Sequence, residues 1–106
     1  PLQIDCAKDI GAPVIELHTG AYCDSKGEER NKELNRIVSA AGHADKIGME
    51  CHAGHGLTYE TVSDIAKIQS ISELNIGHFL IGEAIFHGLE ECIKSMRTLI
   101  NQVRSA

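Results

Sequence analysis

The side chains best suited to chemistry fall in two stretches, Cys51-His52-Ala53-Gly54-His55-Gly56-Leu57-Thr58 and, further along, Glu73-Leu74-Asn75-Ile76-Gly77-His78. Each passes from a short strand-like segment into glycine and histidine, and each is followed by a helical pattern. Glycine lets a backbone come close to a ligand, and the unpaired N–H groups at a helix start suit an anion. Histidines beside such loops can move protons near neutral pH. The two stretches read as neighbouring βα loops of an α/β enzyme acting on a phosphorylated substrate.

The chain has 106 residues, enough for at most one domain or for part of a larger one. A hydrophobic fraction of 42% is that of a globular protein. The net charge is -5 and the ten Lys and Arg are scattered, which argues against nucleic acid as a partner. A phosphate site here must rely on backbone N–H groups and helix ends more than on a basic patch. Cys6, Cys23, Cys51 and Cys92 lack the close, regular spacing of a disulfide scaffold or zinc ribbon, so free thiols in a reducing compartment are expected. No apolar run reaches the roughly eighteen residues of a membrane span, and no signal peptide opens the chain. A cytoplasmic location is the default expectation.

Periodicity supplies the elements that must hold these loops. Leu2, Cys6, Ala7 and Ile10 lie at helical spacing before Gly11 and Pro13. Residues 14–19 read as a strand and Gly20 to Gly27 as a loop. From Glu28 a helix follows, with Leu34, Ile37, Val38, Ala41 and Ile47 on one face and Gly48 as its stop. The next strand is placed at 49–53, with Thr58 as N-cap of a helix carrying Val62, Ile65 and Ala66. A third strand is placed at 73–77. A short apolar segment, Phe79 to Phe86, then breaks at Gly88, and a last helix repeats Leu89, Cys92, Ile93, Met96, Leu99, Ile100 and Val103.

Strand and helix therefore alternate three times after an initial helix, which implies parallel strands with right-handed crossovers. Along each strand one parity is apolar and the other polar. Ile15 and Leu17 alternate with Glu16 and His18, Cys51 and Ala53 with Glu50 and His52, Leu74 and Ile76 with Asn75. The apolar parity can lie under helices, while the polar parity suits the inside of a barrel beneath an active site. Three parallel strands alone leave two open edges, which proteins normally cover or close. The expected fold class is thus α/β, a partial (βα)8 TIM barrel, with 1–106 forming the C-terminal part of a single domain. The chain would begin inside the helix before the sixth strand.

Three motifs, Glu16-Leu17-His18-Thr19-Gly20, Ala53-Gly54-His55-Gly56-Leu57-Thr58 and Glu73-Leu74-Asn75-Ile76-Gly77-His78, occur in an order and spacing that resemble the pyridoxine 5′-phosphate synthase family. The resemblance extends over essentially the whole chain. It implies an oligomerising (βα)8 barrel, of which this chain is similar to the last three strands and helices. It also implies a reaction: 1-deoxy-D-xylulose 5-phosphate condenses with 3-amino-2-oxopropyl phosphate to close a pyridine ring, releasing phosphate and water without an organic cofactor. Imine formation, proton shuttling and elimination call for several acid–base groups around one cavity.

By this resemblance His55 matches the proton-donating histidine, and its place between two glycines suits that role. A solvated loop histidine is the plainer alternative. Gly56, Gly77 and His78 match positions that bind the amino-ketone phosphate, against the plainer reading of a turn at Gly77 and an N-cap at His78. Phosphate sites in such barrels tend to form from the loops after strands seven and eight. Glu16 matches a glutamate that stabilises a cationic transition state or intermediate. It could equally be an interior carboxylate paired to a basic residue from another strand.

His18, His52 and Asn75 have the parity to line the same cavity but carry no assigned role, and a role in supporting the site residues or in packing is expected of them. Glu50 needs a cationic partner that the sequence does not visibly provide. Metal is not expected: Cys51, His52 and His55 are close in sequence, but zinc needs four convergent ligands and the spacing lies on a strand and loop. The family's proton acceptors, a histidine and a glutamate, lie on earlier strands outside these residues. The chain alone is therefore expected to be inactive, and to dimerise or stay partly ordered. The full-length protein would be an active homo-oligomer. The alternative is a non-catalytic phosphate-binding or assembly module with open strand edges.

Overall fold

The structure is a computed structural model and describes residues 2–104, leaving aside the side chains of Leu2 and His78. Its elements follow in the order α1 (Leu2–Asp9), β1 (Val14–His18), α2 (Gly20–Asp24), α3 (Gly27–Lys46), β2 (Glu50–Gly54), α4 (Val62–Ala66), β3 (Ile71–Asn75), α5 (His78–His87) and α6 (Leu89–Arg104). The strands form one parallel sheet ordered β1-β2-β3. The fold is thus α/β, with a helix returning the chain between successive strands.

Alternation in the sequence becomes two faces of the sheet. Ile15, Leu17, Cys51, Ala53, Ile71 and Leu74 join the core, where Ile37, Ala41 and Ala44 of α3 and Ile65 of α4 cover them. Cys51, Ala53 and Ile65 are at most 1% exposed. Burying such side chains contributes about 1.5–3 kcal/mol each for the larger ones, which is what fixes strand register against a one-residue slip. The opposite face carries Glu16, His18, Glu50, His52, Glu73 and Asn75.

Strand bounds differ slightly from the sequence-based expectation, most at β3, which starts at Ile71 rather than 73. The reason is an irregularity between Cys51 and His52. Cys51 pairs with Ile71, but His52 pairs with Glu73, so Ser72 has no opposite residue. An extra residue of this kind resets the alternation. Ile71 and Leu74 can therefore both face the core although three positions separate them, and this hid the start of the strand.

Other differences have similar local causes. In α1 Ile4 is buried; of the expected face Ala7 packs on the core, Cys6 is exposed and Ile10 is 79% exposed, and the Leu2 side chain lies outside the described residues. Gly20 to Gly27, expected as a loop, contains α2, in which Tyr22 is 2% exposed and donates from its hydroxyl to the Thr61 carbonyl at 2.9 Å. One buried aromatic gives no periodicity to read. Thr58 does not cap α4. The cap position is Thr61, whose hydroxyl accepts the Thr58 N–H at 2.9 Å, an order reversed from the expected one. The last helix buries Cys92 and Met96, whereas Leu89 and Ile93 are nearly half exposed. At its end, one Arg104 guanidinium nitrogen donates to the carbonyls of Ala66, Ile68 and Ile71 at 3.0–3.2 Å, tying α6 to the entry of β3. Among the described residues no helix is long and apolar enough to cross a membrane.

Candidate functional site

The C-terminal ends of the three strands surround an open cleft of about 470 Å³. Parallel strands deliver their exit loops to one side of the sheet, so residues far apart in sequence arrive together there. Glu16 and His18 come from β1, His55 and Gly56 from the loop after β2, and Asn75 and Gly77 from the end of β3 and the turn that follows. Phe79, in the first turn of α5, lines the same cleft and packs edge-on against Tyr59 with ring centres 4.7 Å apart. Four of the five site residues expected from the sequence thus share one cavity. The side chain of the fifth, His78, lies outside the described residues.

His55 has φ +88°, a left-handed conformation that is costly for a residue with a Cβ, by about 1–3 kcal/mol. Gly56 follows with φ +79°. The strain is held by contacts to the His55 main chain. Its carbonyl lies 2.6 Å from the Thr19 hydroxyl, which also reaches the Gly54 carbonyl at 2.8 Å. The Thr19 N–H donates to that same Gly54 carbonyl, and the Cys23 thiol lies 3.8 Å from the His55 carbonyl. Thr19 is completely buried. Leu57, 1% exposed, anchors the other side of the loop in the core. The turn that presents His55 is therefore fixed from several directions, while the imidazole itself is exposed.

The His55 ring stacks on that of His18, with centres 4.3 Å apart and planes 25° from parallel. His18 is held in turn, because the Gly20 N–H donates to its Nδ1 at 3.2 Å. Gly20 is buried directly beneath the pair. A Cβ there would lie 2.5 Å from His18 Cε1 and 3.0 Å from His55 Cδ2.

Glu16 reaches across the neighbouring strand. A Cβ on Gly54 would lie 2.6 Å from its Oε1, 2.8 Å from Asn75 Cβ and 2.9 Å from the Asn75 carbonyl oxygen. The missing side chain at Gly54 makes a notch in β2, and the carboxylate occupies it on the way from β1 towards β3. Gly77 has ordinary backbone angles, and nothing lies within 4 Å of where its Cβ would stand. Neither backbone geometry nor local packing accounts for that glycine. The first-turn N–H groups of α5 have no intrahelical acceptors, and among the described residues Gly77, at the cap position, offers no side chain to them.

Below the cleft, His52 bridges two carboxylates. Its Nε2 lies 2.6 Å from Glu50 Oε2 and its Nδ1 lies 3.0 Å from Glu73 Oε2. Glu50, expected to lack a partner, therefore finds one two residues along its own strand. Sequence reading missed it because alternation puts residues i and i+2 on one face, but does not say that their side chains meet. Among the described residues no three His, Cys, Asp or Glu side chains converge as a metal-binding group.

Of the two thiols nearby, Cys51 is buried in the core and Cys23, against Gly56, is half-buried. Burial pushes Cys51 upward from its ordinary pKa, and burial also raises Cys23, against hydrogen bonds from Thr61 and Thr19 that pull it down. Both are thereby kept protonated and poorly nucleophilic. Thr19, Gly20 and Gly54 were missed as site-forming residues. The available signals were a threonine and glycine directly after the polar parity of β1, and a glycine where that parity in β2 ought to continue.

The chain is 60% identical over 96 residues to a pyridoxine 5′-phosphate synthase of Rhodospirillum rubrum, covering 90% of this chain and 39% of that protein. It is 59% identical over 103 residues to the protein of the same name from Zymomonas mobilis, covering 97% and 40%. For the one from Roseobacter denitrificans the values are 55% over 107 residues, 97% and 43%. The chain spans about two fifths of the length of these relatives. The family described as pyridoxal phosphate biosynthesis protein PdxJ matches residues 1–102, and the chain belongs to that family.

Proposed function

We propose that this chain is the C-terminal part of a pyridoxine 5′-phosphate synthase and contributes the last three βα units of a (βα)8 barrel. The observation that carries the reading is the convergence of Glu16, His55, Gly56 and Gly77 on one cleft at the strand C-termini. Residues in such places do the chemistry of barrels, while the sheet below holds them. The outer edges of β1 and β3, unpaired among the described residues, are where the remaining strands would add. A cytoplasmic, homo-oligomeric full-length enzyme belongs to the same reading.

In the proposed reaction 1-deoxy-D-xylulose 5-phosphate and 3-amino-2-oxopropyl phosphate form pyridoxine 5′-phosphate, phosphate and water. The Gly56 and Gly77 backbones and the opening of α5, with His78 as its first residue, receive the amino-ketone phosphate. Unpaired N–H groups stabilise its charge there without a basic patch. His55, exposed on a fixed turn, donates the proton that ring closure and water loss require. Glu16 lies in the Gly54 notch, where its carboxylate stabilises positive charge developing on the iminium nitrogen. Proton acceptance and the grip on the sugar phosphate fall to the other part of the barrel.

The test is formation of pyridoxine 5′-phosphate from the two substrates. The isolated chain is expected to give none, whereas the chain joined to the N-terminal three fifths of the Rhodospirillum rubrum relative turns over. In that fusion His55→Ala is expected to lower kcat by about 10²–10⁴-fold. Turnover by the isolated chain, or an unimpaired His55→Ala, would overturn the proposal.

A further inference from the structure

The geometry points to His18 as a positioning residue that holds the His55 imidazole at the angle from which it donates its proton. This inference rests on the catalytic reading of His55 above and adds to it a residue whose own role was open. His55 is exposed and its main chain is fixed by Thr19 and Cys23, but those contacts reach only its carbonyl. They leave rotation about the side-chain bonds free. The described contact that limits the ring is the stack on His18, 4.3 Å between centres.

The platform is built for that contact. Gly20 N–H donates to His18 Nδ1, which must then be the unprotonated nitrogen of a neutral ring, with its proton on Nε2. A neutral ring offers its π face to His55 in both protonation states of the latter, and attracts it more strongly when it is a cation. A protonated His18 would lose the Gly20 bond and repel a protonated His55. Gly20 also provides the room, since any side chain there would strike both rings. Backbone donor, missing Cβ and stack thus act on one object, the orientation of His55. Because the contact of His18 within the cleft is the stack on His55, its removal should slow the proton step far more than it weakens substrate binding.

The test uses the active full-length fusion and two variants that separate the parts of the platform. His18→Asn keeps a short acceptor for the Gly20 N–H but removes the ring. His18→Phe keeps the ring and removes the acceptor. His18→Asn is expected to lower kcat by about 10–100-fold with KM for both substrates within about twofold, the scale of a misplacement near 1 Å. His18→Phe should restore kcat to within about threefold of wild type. Gly20→Ala, which displaces both rings, should resemble His18→Asn. The inference is overturned if His18→Phe is as slow as His18→Asn, if His18→Asn keeps wild-type kcat, or if the loss lies in KM. His55→Ala, measured alongside, tells this failure from that of the broader reading: an active His55→Ala removes both, whereas an impaired His55→Ala with unaffected His18 variants removes only the platform.

Discussion

Replacing Gly54 by alanine tests whether the Glu16 carboxylate lies in the notch of β2. The new Cβ would stand 2.6 Å from Glu16 Oε1, 2.8 Å from Asn75 Cβ and 2.9 Å from the Asn75 carbonyl. Ordinary contact begins near 3.4 Å, so the carboxylate must withdraw by about 0.8 Å and the β3 main chain by about half an ångström. The carboxylate can move, but the Asn75 backbone belongs to the β2–β3 ladder and yields less easily. Overpacking of this kind costs about 1–3 kcal/mol. Alanine also restricts the unfolded chain and returns about 0.4–1 kcal/mol. A net loss of about 1–2 kcal/mol is expected, read as a lower urea midpoint with unchanged slope. Withdrawal of Glu16 should in addition lower kcat by about 10-fold or more. Since part of the clash is with Glu16 itself, Gly54→Ala should cost roughly 0.5 kcal/mol less in a Glu16→Ala background. Equal cost in both backgrounds, or wild-type stability and kcat for Gly54→Ala, would refute the notch.

Two further outcomes follow from other parts of the molecule. Arg104→Ala removes a charged donor shared by three carbonyls around the α4–β3 turn and should lower stability by about 2–3 kcal/mol. Arg104→Lys should recover less than half, because an ammonium lacks the planar fork; a surface-like change of a few tenths would contradict the assignment. Burial raises Cys51, Cys23 and Tyr22 from their ordinary pKa values, so the unfolded chain releases these protons first as pH rises. Their contribution to stability is complete below about pH 8.5 for the thiols and about pH 10 for the phenol, and is lost as pH climbs through the folded values. A urea midpoint falling from about pH 8.5 upward, with Cys6 reacting with a thiol reagent well before Cys51, is the expected result. A flat profile with equally reactive thiols would contradict it.

Much of the architecture was legible because it rests on local periodicity. Ile37 and Ala41 in α3, and Cys92 and Met96 in α6, repeat at helical spacing and are buried as that spacing requires. The strands of alternating parity were recognisable for the same reason, and their two faces are the faces of the sheet. Elements without a period were missed. α2 is only five residues long and its one large buried side chain, Tyr22, is defined by a partner 39 positions away. β3 began two residues early because the irregularity opposite Cys51 resets its alternation, which no reading of β3 alone can show.

The sequence by itself determined which residues could act: histidines and glycines after strands, a glutamate of polar parity, and the order that makes three parallel strands. Those are properties of residue type and of short-range spacing, and they survive without coordinates. Only tertiary structure decided what each side chain touches. It stacked His18 on His55, laid Glu16 across Gly54, gave Glu50 its partner in His52, and locked the strained His55 turn with Thr19 from the turn after β1. Such contacts depend on register and strand order, quantities set by burial of the whole apolar face rather than by any motif.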